Sequence, residues 1–173
     1  PIMDILYQLP FPQEICSKIF MFACKSPHTG LGVVILKKIL GLSIYKKIKN
    51  KKGGIIVDHD GNVVKIKSFA LSSIENKQLN FEIEHLKSLP NLTEINLWDT
   101  DVTGNIEHLK SLAKLTEINL CYTNVSGDIA HLVSLPKLTK IHLWDTFVSG
   151  NIAHLKSLLN LTEIYLSDTG VSG

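Results

Sequence analysis

The chain has 173 residues, 45% of them hydrophobic, and a formal net charge of +2. Its composition is globular, and every apolar run falls short of the roughly 18 residues a membrane span needs. Arginine is absent, which removes the commonest bidentate contact to a base and argues against sequence-specific nucleic-acid reading.

In chain order, the first segment is PQEICSKIFMFACK from Pro12. Ile15, Ile19 and Phe22 recur at helical spacing, Pro12 suits a first turn, and Glu14 complements the helix's positive end. Further helices are predicted over 31–40 and 43–52, the last carrying Lys46, Lys47, Lys49, Lys51 and Lys52. Such lysines suit a solvated helix end. Nine lysines in residues 1–60 face only Asp4, Glu14, Asp58 and Asp60, so the front is basic and the remainder mildly acidic. LPFPQEICSKIF from Leu9 resembles the opening of an F-box, with Leu9, Pro10, Glu14, Ile15 and Ile19 in matching places. That resemblance implies a Skp1-type adaptor as partner through those five residues. The family's later cysteine-basic-x-tryptophan element is missing, and residues 1–54 contain no tryptophan.

IIVDHDGNVVKIK, from Ile55, predicts two strands joined by a turn at Asp60-Gly61. The segment SFALSSIENKQ then opens a longer, irregular unit. From Leu92 the chain repeats itself every 23 residues. Leu92, Leu115, Leu138 and Leu161 share one column; Ile95, Ile118, Ile141 and Ile164 share the next. Leu97, Leu120, Leu143 and Leu166 follow, then Val102, Val125, Val148 and Val171, then Gly104, Gly127, Gly150 and Gly173. LxxIxL predicts a short strand burying one side, TxVxG a turn, and IxxLxxL a helical or 3-10 segment. No unit buries its own apolar stripe, so the units must stack into a right-handed coil.

These columns resemble the leucine-rich repeat family, and V-S-G-x-I is similar to its plant-type variant. The variant's proline is replaced by Glu107, Ala130 or Ala153, and its asparagine by Thr100, Thr123, Thr146 and Thr169. Those threonines are expected to bond neighbouring turns through their hydroxyls. The resemblance implies an α/β solenoid with a parallel sheet on the concave side and helical or 3-10 segments on the convex side. The expected organisation is a helical region at 1–54, a capping hairpin at 55–68, and an array at 69–173 that is incomplete at its C-terminal end.

Variation between units gathers at the outward strand positions and just beyond. Glu94, Asn96, Trp98, Asp99, Asn119, Cys121, Tyr122, Lys140, His142, Trp144, Asp145, Tyr165 and Asp168 are the candidate partner-binding residues, since the resemblance implies docking on the concave sheet. With strands about 4.8 Å apart, Trp98 and Trp144 would stand roughly 10 Å apart. The expected feature is a notch walled by their indoles and floored by Cys121, with Tyr122 and Tyr165 nearby.

The column His85, His108, His131 and His154 reads as packing between coils. Only Asp145 and Asp168 of the aspartate column lie on neighbouring units, too few oxygens for calcium. No catalytic set, phosphate loop, metal site or cofactor site assembles. Cys16, Cys24 and Cys121 lack the spacing of a disulfide framework or zinc site, and Asp4 and Gln8 interrupt any signal-like start. The expectation is an intracellular, cytoplasmic scaffold, not an enzyme, that binds another protein. The alternatives are a ubiquitin-ligase substrate receptor, which the F-box resemblance implies, and a glycan-binding module using Trp98, Trp144 and Tyr165.

Overall fold

The computed structural model describes residues 54–67 and 79–173, together with Lys38, which is helical and exposed. Apart from Lys38, the expected N-terminal helices, the adaptor-contact residues Leu9, Pro10, Glu14, Ile15 and Ile19, the lysine cluster and the loop at 68–78 lie outside the described residues.

A hairpin opens the described array. Strands β1 (Ile55–Val57) and β2 (Val63–Lys67) pair antiparallel. Their turn is built as the sequence predicts: Gly61 takes a φ of 77°, and the Asp58 carboxylate accepts the Asp60 and Asn62 amides at 3.0 and 2.9 Å. Asp commonly closes such turns with its own side chain. Val63 and Ile66 point into the core, and β2 continues the array by pairing parallel with β3 (Glu94–Asn96).

Strands β5 (Glu117–Asn119), β7 (Lys140–His142) and β9 (Glu163–Tyr165) follow in parallel, completing a six-stranded sheet in the order β1-β2-β3-β5-β7-β9. Its register sets Ile95, Ile118, Ile141 and Ile164 in one row. Ile95, Ile118 and Ile141 are buried together with the leucine and valine columns beside them, and Ile164 packs against that core from a half-buried position. Each fully buried Leu or Ile contributes about 1.5–3 kcal/mol, so transfer free energy holds a coil's apolar columns in place.

TxVxG is more than a turn. It forms strands β4 (Thr103–Asn105), β6 (Asn124–Asp128), β8 (Phe147–Asn151) and β10 (Gly170–Ser172), which pair parallel in a second sheet of order β10-β8-β6-β4. The third side of each coil is a 3-10 segment: Ile83–Ser88, Ile106–Ser111, Ile129–Ser134 and Ile152–Ser157. The last three begin on a side-chain cap, in which Asn105, Asp128 and Asn151 accept the amides of Glu107, Ala130 and Ala153 at 2.8 Å each. That cap explains two members of the glycine column, Gly127 and Gly150. At Gly127 a β-carbon would overlap the Asn105 carboxamide of the preceding coil, and at Gly150 the Asp128 carboxylate.

The threonine ladder differs from expectation. Thr100, Thr123, Thr146 and Thr169 donate within their own coil, to the carbonyls of Leu97, Leu120, Leu143 and Leu166 at 2.6–2.7 Å. Bonds between coils come from another column. Thr93, Thr116, Thr139 and Thr162 donate to Val64, Thr93, Thr116 and Thr139 carbonyls at 2.9–3.0 Å. A hydroxyl buried at the turn reaches its own carbonyl three residues back more readily than the next coil. The half-exposed column beside the strand faces its neighbour directly.

On the 3-10 side, His108 Nε2 lies 4.0 Å from Glu84 and His131 Nε2 3.8 Å from Glu107, each on the preceding coil. These two half-exposed rings bridge coils, whereas His85 and His154 of the same column are exposed.

Candidate functional site

The six-stranded sheet carries the candidate residues in two clusters. The first lies where each strand ends. Asp99, Tyr122, Asp145 and Asp168 all adopt left-handed backbone, with φ between 53° and 56°. Asp tolerates that region through its short polar side chain; Tyr does so at a cost. The conformation is locked by bonds to the next coil: the amides of Asp99, Tyr122 and Asp145 donate to Cys121, Trp144 and Ser167 carbonyls at 2.9, 2.9 and 3.0 Å.

This turn lays the Tyr122 ring between the two indoles. Its centroid is 6.3 Å from that of Trp98, edge-on at 86°, and 4.9 Å from that of Trp144 at 52°. The expected notch is therefore filled. In its place stands an aromatic edge across three coils, with Trp98 39% and Trp144 42% exposed. Trp144 Nε1 donates to Asp168 at 2.8 Å, which fixes the indole against the next coil. Cys121 is buried and offers no outward contact; burial raises its thiol above the ordinary range. Asn96 and Asn119 are half-buried, and their side-chain oxygens accept the Trp98 and Cys121 amides at 3.2 Å. They hold the strand ends in place.

Beside this edge runs a groove of about 360 Å³, lined by Asp99, Tyr122, Thr123, Asn124, Asp145, Thr146, Phe147 and Asp168. Phe147 is 70% exposed. TxVxG predicts a turn there, which gives Phe147 no expected role, yet the sequence holds one signal. In the column Asp101, Asn124, Phe147, Gly170 it alone is large and apolar.

The second cluster is ionic. Glu94, expected on the docking face, is buried and committed. Its carboxylate lies 2.8 Å from Lys65 Nζ and also pairs with Lys67, both from the hairpin. Burial alone would raise the Glu94 carboxyl, but the bonds from Lys65 and Lys67 bring it below its ordinary value and raise Lys65 in turn. It is a staple between the hairpin and the next strand. Further along, Lys140 and His142 face Glu163 at 3.5 and 3.2 Å, the His142 Nε2 out of line for a hydrogen bond. The Tyr165 ring packs against His142, their centroids 4.6 Å apart and tilted by 46°, which joins it to this cluster. Against a desolvation cost, Tyr165, His142 and Lys140 hold Glu163 below its ordinary value.

Among the described residues, no group of three or more His, Cys, Asp or Glu is placed to hold a metal ion. No helix among them is long and apolar enough to cross a membrane.

No protein-family model and no curated protein sequence matches the chain. Solved structures do. The complex of BIR3 and SERK2 from Arabidopsis thaliana superposes with a TM-score of 0.56 at 24% identity, over 70% of this chain and 65% of that one. The BIR2 ectodomain from the same plant gives 0.57 at 19% identity, over 70% and 64%. The PEPR1-AtPEP1 structure gives 0.57 at 18% identity, over 79% and 22%. The chain thus spans less than two thirds of each of these neighbours, all of them leucine-rich repeat proteins. At such identities the likeness concerns architecture, and it agrees with the 23-residue register and the paired parallel sheets: the chain has the leucine-rich repeat fold.

Proposed function

We propose that the chain is a non-catalytic protein-binding scaffold whose six-stranded face docks a partner along the aromatic edge. The supporting observation is the contact chain Trp98–Tyr122–Trp144, which keeps two large indoles about 40% exposed on one face. Exposed, pre-ordered aromatic side chains are the residues that most often dominate protein interfaces, because they bury much area while losing little rotamer freedom. One fold neighbour is itself described as a complex of two proteins, BIR3 with SERK2.

The test is affinity capture with the immobilised full chain and a Trp98→Ala/Trp144→Ala variant, with far-UV circular dichroism to verify that the variant folds. The proposal expects a partner held by the wild-type chain and lost from the folded variant. Equal capture by both would contradict it.

A further inference from the structure

A column of aspartates and a column of small or polar residues each hold one aromatic residue, and both rings meet in the same groove. Tyr122 stands in a column otherwise made of Asp99, Asp145 and Asp168; Phe147 stands in one otherwise made of Asp101, Asn124 and Gly170. They come from consecutive coils and line one cavity with the three aspartates, and among the described residues no basic side chain lines it. Phe147 gains little from burial there at 70% exposure, so core packing does not account for it.

We propose that this groove receives arginine side chains from an extended, basic segment of a partner protein. The groove lies past the strand ends of the six-stranded sheet, where Asn124 and Phe147 open the second sheet; the inference rests on the reading of the adjoining aromatic edge as a docking surface and adds the partner's chemistry. Charge complementarity selects a cation, and the rings select among cations. A guanidinium is planar, weakly hydrated and forked, so it stacks on Tyr122 or Phe147 while donating to a carboxylate; an ammonium is a compact, strongly hydrated point charge. The Trp144 indole, donating to Asp168 at 2.8 Å, holds that carboxylate in place for such a contact.

Spacing also fits. Coils recur about every 4.8 Å, so Asp99 to Asp168 spans three steps, about 14 Å. Side chains on one side of an extended peptide recur about every 6.8 Å, so residues i, i+2 and i+4 cover the same length. A groove of about 360 Å³ has room for a few side chains.

The test uses the full chain and a dye-labelled nonapeptide of alternating arginine and threonine, followed by fluorescence anisotropy. Comparators replace arginine by lysine or by glutamate, and cellohexaose is added as a competitor. Asp145→Asn and Asp168→Asn keep a residue that tolerates left-handed backbone, so both variants should fold. Each is expected to weaken the arginine peptide about tenfold, as is Phe147→Ala. Glu107→Gln removes a carboxylate on the 3-10 side, beside His131, and should leave affinity within about twofold. Lysine should bind more weakly than arginine, glutamate not at all, and cellohexaose should not compete.

Equal weakening by Glu107→Gln would show diffuse charge attraction and overturn the inference. So would an unchanged affinity in Asp145→Asn, equal binding of the glutamate peptide, or displacement by cellohexaose. If capture depends on Trp98 and Trp144 while the arginine peptide fails to bind, the basic-segment inference falls and the docking face stands. If capture ignores the two tryptophans, the docking face itself falls.

Discussion

The Tyr122 ring lies 4.9 Å from that of Trp144 although the Tyr122 backbone, at φ 56°, occupies a region tyrosine rarely takes. A non-glycine residue there costs about 1–2 kcal/mol, whereas each aromatic pair contributes about 0.5–1.5 kcal/mol beyond area burial. Tyr122 touches two indoles, so the contacts offset the strain. Tyr122→Asn relieves the strain and loses the rings; Tyr122→Leu loses the rings and keeps the strain. Urea denaturation should rank wild type above or level with Tyr122→Asn, and Tyr122→Leu lowest by about 1–3 kcal/mol. Equal stability of the Asn and Leu variants would refute the strain argument.

The glycine column offers a graded series. A β-carbon at Gly104 would meet nothing nearer than Ile83 Cγ2 at 3.4 Å, whereas at Gly127 it would overlap the Asn105 cap. Both have positive φ, 102° and 118°. Gly104→Ala should cost about 1 kcal/mol from backbone strain alone. Gly127→Ala should cost about 2 kcal/mol or more, since the cap bond to Glu107 must also yield. The order of the two chemical-denaturation midpoints checks this.

Two threonine columns separate by burial. Thr139 donates to the Thr116 carbonyl, which also accepts the Thr139 and Lys140 amides at 2.8 and 3.2 Å. Thr139→Val therefore leaves that carbonyl bonded and should cost about 0.5–1 kcal/mol. Fully buried Thr100 donates to the Leu97 carbonyl at 2.7 Å, and Thr100→Val should cost about 1–3 kcal/mol. Equal losses would contradict the assignment of the two ladders.

Acid should loosen the array through Glu94 and Glu163. Both carboxyls are held below their ordinary 4.5 in the folded chain. The unfolded chain therefore binds protons first as pH falls, so the stabilisation is complete above about pH 4.5 and is lost as pH drops through the lower folded values. Denaturation midpoints should fall between about pH 6 and about pH 3.5, and Glu94→Gln should flatten the slope. An unchanged slope in that variant would show that the hairpin staple contributes nothing.

The stacked columns were legible in the sequence because burial repeats faithfully: Leu92, Ile95, Leu97 and Val102 each recur unchanged a coil later and are buried. The second sheet was not legible. Its strands are joined by main-chain bonds such as Asn124 N to the Val102 carbonyl, which leave no side-chain signature, and its glycines suggest turns. Glu94 was misassigned because Lys65 and Lys67 come from the hairpin, outside the 23-residue period. The notch was misplaced because alternation along a strand cannot foresee that a left-handed residue beyond its end will swing a ring between two neighbours.

The most direct check on the shared aromatic edge is fluorine NMR of the chain labelled with 5-fluorotryptophan, whose two tryptophans yield two resonances. If Trp98 and Trp144 flank Tyr122 on one accessible face, Tyr122→Ala will shift both signals through the lost ring current, and a soluble nitroxide will broaden both. A signal that ignores the substitution, or is shielded from the nitroxide, would place that indole elsewhere and dissolve the proposed docking edge.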